Sequence, residues 1–275
     1  MRGAQSVAPT AASQGGGIAE VVADVGRDGW SHVGVLDEAL TRRLRSAVDK
    51  VAARSSGTTP GGQLHQMSGL SHHPDLVEVV DWPPLLAVVL ELLSPNVYIN
   101  HSHLDVHPPH PPTGARRWHR DNGMMGRDMG LSWRDQPRVT VKVAVYLTDV
   151  ELPDDGALEV VPRSHNDTKP RHPTEHQPHG VAILGPAGTV AVVDARVWHR
   201  RRDNLGTRTR RAIFMAYSYR WLTSRDVAFE DVPAWVGVSP GRRQLLGGGA
   251  VDPYYWAPGE LPLDRRPDAR QRSCD

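Results

Sequence analysis

Two histidines and one aspartate of this chain have the residue types and the spacing of a metal centre. His119 and Asp121 lie two residues apart in the segment Trp118-His-Arg-Asp121, and on an extended segment such residues point the same way. His199 follows 78 residues after Asp121, so the fold must bring distant segments together. Two imidazoles and one carboxylate form the facial triad that leaves three positions open on non-haem Fe(II). The three residues therefore predict an iron site.

An arginine beyond the second histidine predicts a site for a carboxylate-bearing co-substrate. Arg210 comes 11 residues after His199, at the start of a predicted strand over 212–219. A guanidinium is the natural bidentate partner of a carboxylate. Arg211 is the rival anchor, but its side chain points to the opposite face of the strand, and we favour Arg210. Asn204 is a further candidate for the co-substrate site, and there it either braces the loop after His199 or is a simple turn residue.

A second row of polar residues lies on the predicted strand over 97–106. His101, His103 and Asp105 alternate there, so their side chains share one face. This face is either a separate metal site or, as we favour, a wall of the co-substrate or substrate cavity. On the second interpretation His101 lies near the co-substrate and His107 borders the cavity.

Two other features are compatible with more than one role. Lys142 and Tyr146 alternate with the valines of the strand over 139–147, and they point either into the mouth of a barrel or to solvent. The segment from Met124 to Trp133 is rich in Gly and Arg but carries several apolar residues. Such segments often cover active sites, so we expect a lid here.

The elements that must position these residues change character along the chain. Residues 38–53 carry apolar side chains at helical spacing behind the candidate N-cap Asp37. A second helical stretch over 74–93 is divided by Pro83-Pro84. Residues 55–66 are predicted to form a loop between these two helical parts.

The second half of the chain has the periodicity of strands. The stretch over 139–147 places a valine at every second residue. Many short strands after a helical first third indicate an antiparallel sandwich or barrel with helices packed outside. The other strands are predicted over 33–36, 97–106, 158–161, 181–184, 189–193 and 212–219.

Composition restricts the class of protein. The chain has 275 residues, 14 histidines, one cysteine and a formal net charge of +1. This charge gives no reason to expect a nucleic-acid or membrane partner, and the apolar runs are far shorter than the ~20 residues that cross a bilayer. We expect a cytoplasmic monomer or homodimer. Its predicted parts are a disordered leader over 1–17, one domain over 18–257 and an irregular tail over 258–275.

These residues occur in an order that resembles the phytanoyl-CoA dioxygenase (PhyH) branch of the Fe(II)/2-oxoglutarate-dependent oxygenases. The resemblance runs from about Val25 to Trp221. Two positions depart from the family's pattern, since Arg120 stands where Gln or a small polar residue is usual and His107 stands where Lys is frequent. The matching segments are Gly26-Arg-Asp-Gly-Trp30, Ser102-His-Leu-Asp-Val-His-Pro-Pro109, Trp118-His-Arg-Asp121, Asp155-Gly-Ala-Leu-Glu-Val-Val-Pro-Arg-Ser-His165, Gly188–Asp194, Trp198-His199, Asn204 and Arg210.

The resemblance implies an α+β, mainly β fold with a double-stranded β-helix (jelly-roll) core and N-terminal helices packed outside. It implies iron held by His119, Asp121 and His199, and 2-oxoglutarate that chelates the metal and anchors its distal carboxylate on Arg210. Enzymes of this family split O2, release succinate and CO2, and abstract hydrogen from the substrate.

The chain is therefore predicted to be an oxygenase that oxidises an unactivated C–H bond of a small molecule. Its Ala-, Arg-, Gly- and Pro-rich composition is typical of a GC-rich genome, where such proteins often tailor secondary metabolites, including antibiotics. The reaction would be hydroxylation, or epimerisation or cyclisation. A hydroxylase of fatty-acyl or CoA thioesters and a non-catalytic jelly-roll binding protein are the alternatives.

Overall fold

The computed structural model describes residues 17–112, 117–121, 123–168, 180–226, 239–248, 252–257 and 259–265. Its helices are α1 (Ile18–Asp28), α2 (Glu38–Arg54), α3 (Pro83–Leu92), α4 (Met124–Met129) and α5 (Pro240–Leu245). Its strands are β1 (Trp30–Val35), β2 (Leu64–Met67), β3 (Val97–His107), β4 (Thr140–Tyr146), β5 (Leu158–Val160), β6 (Val181–Ile183), β7 (Thr189–Asp194), β8 (His199–Arg201) and β9 (Arg210–Tyr219).

The strands form two antiparallel sheets. The larger sheet has the order β1-β7-β4-β9-β3-β2, and the smaller one has the order β6-β5-β8. An isolated antiparallel bridge between His119 and His199 adds one more segment to the outer side of β8. The predicted mainly β jelly-roll core with helices packed outside is confirmed.

Strand β4 shows how the larger sheet separates two cores. Val141, Val143 and Val145 belong to the core that the sheet shares with the helices, whereas Ala144 and Tyr146 belong to the core between the two sheets. Successive strand residues point to opposite faces, and here both faces are covered. The orientation of Tyr146 is thereby settled, since its hydroxyl donates to the carbonyl of Ile183 at 3.0 Å inside the sandwich.

Helix α2 forms where its sequence predicts it. The side chain of Asp37 accepts a hydrogen bond from the backbone N–H of Leu40 at 2.8 Å, which caps the helix. Its buried stripe packs on the outer face of the larger sheet. The predicted stretch over 74–93 is divided as expected, into a 3-10 helix over Pro74–Val79 and α3, which begins at Pro83. None of the helices in the described ranges is long and apolar enough to cross a membrane.

The prediction of a loop over 55–66 was wrong at its end. Strand β2 (Leu64–Met67) pairs with β3 at the edge of the larger sheet. Its sequence Leu-His-Gln-Met does not alternate apolar with polar residues, so the pairing with β3, and not a sequence pattern, makes it a strand. Of the predicted leader and tail, residues 1–16, 258 and 266–275 lie outside the described residues.

The helix-facing core yields the first testable expectation. Leu44 on α2 is 0% exposed, so Leu44→Ala removes buried methyl groups and leaves a cavity against the sheet. We expect the free energy of unfolding to fall by about 3 kcal/mol in urea denaturation. Leu152→Ala is the control, because Leu152 is 64% exposed; it should change the free energy by less than about 0.5 kcal/mol. Equal effects of the two substitutions would contradict this account of the core.

Candidate metal centre

Backbone pairing brings the two histidines of the candidate triad side by side. The N–H of His119 donates to the carbonyl of His199 at 3.0 Å, and the N–H of His199 donates to the carbonyl of His119 at 3.0 Å. Their rings lie 4.2 Å apart between centroids. Opposite residues of an antiparallel bridge project to the same side, so the bridge itself aims both imidazoles at one point.

Asp121 completes this group two residues further along. Its backbone N–H donates to the carbonyl of Ala195 at 3.1 Å, and its Oδ2 lies 3.5 Å from Nε2 of His199. The candidate ligand atoms of His119, Asp121 and His199 all lie within 4.8 Å of one another. The structure thus brings together the three residues whose spacing predicted a metal centre.

Each histidine is held in the tautomer that a metal ligand requires. Nδ1 of His119 lies 3.2 Å from the carbonyl of Arg117, and Nδ1 of His199 lies 2.9 Å from the carbonyl of Val197. A carbonyl oxygen only accepts, so each Nδ1 carries the hydrogen and each Nε2 has a free lone pair. This backbone support orients both rings toward the shared point.

The surroundings of the site favour a neutral His199 and an ionised Asp121, the protonation states in which these residues can bind a metal. Burial, helped by the charge of Lys142, lowers the pKa of His199 to about 4, so its imidazole is neutral near pH 7. Burial opposes ionisation of Asp121, but the ammonium of Lys142 and the neighbouring imidazoles outweigh it and hold the pKa of that carboxyl below its usual range. Nζ of Lys142 lies 2.8 Å from Oδ2 of Asp121. Lys142 therefore points into the site, which the alternation of β4 alone had left open.

The residues present fit a divalent transition metal. Within the described part of the chain, Nε2 of His199 is buried without a hydrogen-bond partner, an arrangement that costs free energy unless an ion or another group binds there. Two neutral imidazoles and one carboxylate are the ligand set of non-haem Fe(II) sites.

Arg210 lies on the inner face of the same sandwich. Its side chain is 1% exposed, and its Nη1 lies 3.3 Å from Oδ2 of Asp105. Among the described residues, its Nε and Nη2 have no hydrogen-bond partner. A Cβ at Gly156, where φ is +80°, would approach Cδ of Arg210 to 3.1 Å, so a residue without a side chain lets the turn pass over the guanidinium. Arg211, the rival, points outward to Asp49.

The charges around Arg210 favour an anion. Asp105 also lies 3.0 Å from Nη1 of Arg201, and these charged contacts together with His65 hold the pKa of Asp105 below its usual range despite burial. Burial and the two arginines lower the pKa of His107 to about 3, so His107 adds no charge at neutral pH. Two guanidinium groups thus face the carboxylate of Asp105, and the Nε and Nη2 of Arg210, which have no partner among the described residues, could bind a carboxylate from a ligand.

The register places His107, and not His101, opposite Arg210. In the pairing of β3 with β9, His101 lies six residues along β3 from His107. The side chains shorten this separation. The ring of His101 lies 5.3 Å from that of His103, the ring of His103 lies 4.7 Å from that of Phe214, and the guanidinium carbon of Arg210 lies 5.3 Å from the Phe214 ring. The expectation that His101 lies near the co-substrate therefore stays a prediction.

The side chain of Asn204 hydrogen-bonds to backbone atoms of its own loop and of strand β3. Its side-chain N–H groups donate to the carbonyls of His107 at 2.7 Å and Arg208 at 2.8 Å, and its Oδ1 accepts from the N–H of Gly206 at 3.2 Å. All of these partners are backbone atoms, so the amide is occupied in bracing the loop. The bracing role is the one the structure supports.

The second row of polar residues also forms a compact group. Candidate ligand atoms of His65, His103 and Asp105 lie within 4.8 Å of one another. Asp105 is paired with two guanidinium groups, those of Arg201 and Arg210, whereas Asp121 is paired with one ammonium group, so a cation is disfavoured more strongly at Asp105 than at Asp121. Burial keeps the pKa of His103 well below its usual range, and its ring stacks on Phe214 at 4.7 Å. This row is therefore better suited to a wall of the site than to a second metal.

Comparison with known proteins agrees with this geometry. The model of the phytanoyl-CoA dioxygenase (PhyH) family matches residues 33–212 of the chain. A search of curated proteins found no match.

Several crystal structures share the fold. HygX from Streptomyces hygroscopicus, with nickel and 2-oxoglutarate bound, is 16% identical with a TM-score of 0.60, and the match covers 74% of this chain and 88% of HygX. The epimerase SnoN and the carbocyclase SnoK, both non-haem α-ketoglutarate-dependent enzymes of nogalamycin biosynthesis, are 18% and 19% identical with TM-scores of 0.59 and 0.56. These matches cover 81% and 78% of this chain, and 92% of SnoN and 87% of SnoK.

The family match covers well over half of the chain. The chain therefore belongs to the phytanoyl-CoA dioxygenase (PhyH) family of non-haem, iron(II)- and 2-oxoglutarate-dependent enzymes.

Proposed function

We propose that this enzyme binds Fe(II) through His119, Asp121 and His199 and oxidises an unactivated C–H bond of a small molecule. The single observation that carries the proposal is the convergence of three ligand atoms, within 4.8 Å, at a point where Nε2 of His199 is buried without a hydrogen-bond partner in the described part of the chain. When bound, iron and 2-oxoglutarate supply the oxidant from O2, with release of succinate and CO2.

The protein's own residues bind and orient these groups. Arg210, whose Nε and Nη2 have no hydrogen-bond partner among the described residues, would hold the distal carboxylate of 2-oxoglutarate in the buried interior of the sandwich, where a charged hydrogen bond is strong. The charge of Lys142 favours the ionised form of Asp121, which is the form that binds a metal. The carbonyls of Arg117 and Val197 hold a proton on each Nδ1, so each Nε2 stays available.

For the reaction we favour a tailoring step in the biosynthesis of a secondary metabolite such as an antibiotic. The similarity in fold to SnoN and SnoK supports this class, and hydroxylation, epimerisation and cyclisation all begin from the same attack on a C–H bond. Hydroxylation of a fatty-acyl or CoA thioester, and a binding protein without catalysis, are the alternatives. We further propose one domain over residues 18–257, acting in the cytoplasm as a monomer or homodimer.

Removal of one proposed ligand tests the metal site. His119→Ala should lower the affinity for Fe(II) by more than about 100-fold, because outer contacts alone are worth about 10- to 100-fold, and it should abolish succinate formation. Anaerobic metal titration and succinate assays measure both effects. His65→Ala is the matched control, since it removes a histidine from the second His-His-Asp group, and its iron affinity should stay at the wild-type level. Normal Fe(II)-dependent succinate formation by His119→Ala would refute the assignment.

The two adjacent arginines give a paired test of the co-substrate anchor. Arg210→Met should raise the apparent KM for 2-oxoglutarate roughly 10- to 100-fold, the loss expected for hydrogen bonds to a charged group. Arg211→Met removes an outward ion pair with Asp49 and should leave this KM unchanged. A larger effect from Arg211→Met than from Arg210→Met would reverse the assignment.

The class of reaction is tested by product mass. Candidate secondary metabolites and acyl-CoA thioesters are first screened for stimulation of 2-oxoglutarate turnover. A substrate deuterated at the reacting carbon should then yield a product that has gained oxygen for hydroxylation, lost two hydrogens for cyclisation, or kept its composition with loss of the label for epimerisation. Stimulation by acyl-CoA thioesters alone would replace the tailoring role with the acyl alternative.

A further inference from the structure

Arg120, which lies between two of the proposed metal ligands, is held by aromatic rings. Its guanidinium carbon lies 4.4 Å from the ring centroid of Trp133 and 4.7 Å from that of Trp198. The side chain is 1% exposed. A desolvated cation between two indole faces is among the stronger cation–π arrangements, so both rings are tied to this one group.

The hydrogen bonds of Arg120 lead to a third segment. Its Nη2 donates to the carbonyl of Ser164 at 2.6 Å and to Oδ2 of Asp167 at 3.0 Å. The hydroxyl of Ser164 in turn accepts from the backbone N–H of Trp198 at 2.9 Å. The guanidinium of Arg120 is charged at neutral pH, as arginine side chains are in proteins. Its Nε and Nη1 have no hydrogen-bond partner among the described residues, as expected for a group held by its faces.

The two indoles belong to functionally different parts of the chain. Trp198 directly precedes His199, the third proposed ligand. Trp133 ends the stretch 123–133, which contains α4 and leads away from Asp121. This stretch turns back on itself, since a Cβ at Gly123 would lie 3.8 Å from the indole of Trp133. One guanidinium therefore joins both proposed metal-binding segments to the stretch that follows the first of them.

We propose that Arg120 is a positioning residue that clamps the stretch 123–133 onto the metal-binding segments and so fixes the geometry of His119 and Asp121. This inference rests on the proposed function in one respect, since the residues that the clamp positions are the proposed metal ligands. The contacts themselves exist in the protein without any metal, so they can be tested independently of catalysis.

Limited trypsin digestion of the metal-free protein measures the clamp. The side chain of Arg127 in α4 is 77% exposed, and Arg134 is exposed one residue after Trp133. Arg120→Lys keeps the charge but loses the flat stacking surface, and cleavage after Arg127 or Arg134, identified by fragment mass, should become roughly tenfold faster.

Arg200→Lys is the matched control for this experiment. Arg200 follows a proposed ligand as Arg120 does, stacks on Trp118 at 4.4 Å and pairs with Glu159 at 2.7 Å, but neither partner belongs to the stretch 123–133. Cleavage at the two sites should stay near the wild-type rate in this variant. Equal rates in Arg120→Lys, Arg200→Lys and wild type would overturn the proposal, and so would equal acceleration in both variants.

Variants of Trp133 keep the test decisive if Arg120→Lys does not fold. Trp133→Phe retains an aromatic face for the guanidinium and should be cleaved at nearly the wild-type rate, whereas Trp133→Leu should be cleaved roughly tenfold faster. If Arg120→Lys folds, the double variant Arg120→Lys/Trp133→Leu should be cleaved no faster than either single variant, because both remove one interaction. Identical rates for Trp133→Phe and Trp133→Leu would overturn the proposal.

Metal affinity tests the positioning part. Arg120→Lys, or Trp133→Leu in its place, should weaken Co(II) binding, followed by its visible absorption, roughly tenfold, as the loss of support around metal ligands generally does. Unchanged Co(II) affinity in a variant with faster cleavage would overturn positioning. A wild-type protein that binds no Co(II) or Fe(II) would instead refute the proposed function, an outcome that the protease rates cannot produce.

Discussion

The reciprocal pair of backbone hydrogen bonds between His119 and His199 is the contact on which the rest of the site depends. It joins the segment that contains Trp118 and Asp121 to the short strand β8. A side chain on a flexible loop would reach a metal only at an entropic cost, whereas two residues opposed across a bridge share one direction. A separate hydrogen bond, from the N–H of Asp121 to the carbonyl of Ala195, holds the third proposed ligand beside the first two.

The two faces of the larger sheet have different roles: one packs against the helices, and the other faces the candidate site. On the outer face the valines of β4 pack under α2 and its neighbours, and this core stabilises the sheet. On the inner face the same strand carries Lys142 and Tyr146. Because neighbouring side chains of a strand point to opposite faces, a hydrophobic core lies one residue away from each of these two polar side chains.

Arginine performs several different tasks in this chain, although the net charge is only +1. Arg200, Arg201 and Arg202 are consecutive, yet the carboxylates nearest to them in the ion pairs differ: Glu159, Asp105 and Asp154. The Nε and Nη2 of Arg210 have no hydrogen-bond partner among the described residues inside the sandwich, and the guanidinium of Arg120 stacks on two indole rings. A cluster of like charges in the sequence thus becomes a set of separate contacts in the fold.

The sequence by itself determined the features that depend on near neighbours: the capped helix α2, the alternation of β4, and the residue types of the triad with Arg210 beyond it. Tertiary structure alone decided the features that depend on pairing between distant segments. Strand β2 forms because it pairs with β3 at the edge of the larger sheet. The register of β3 and β9 places His107, and not His101, opposite Arg210. The amide of Asn204 donates to the backbone carbonyls of Arg208 and of His107, which lies on a distant segment. Lys142 meets Asp121 for the same reason. Spacing along a chain defines which residues share a face, but hydrogen-bond register between strands far apart in sequence sets which of them meet.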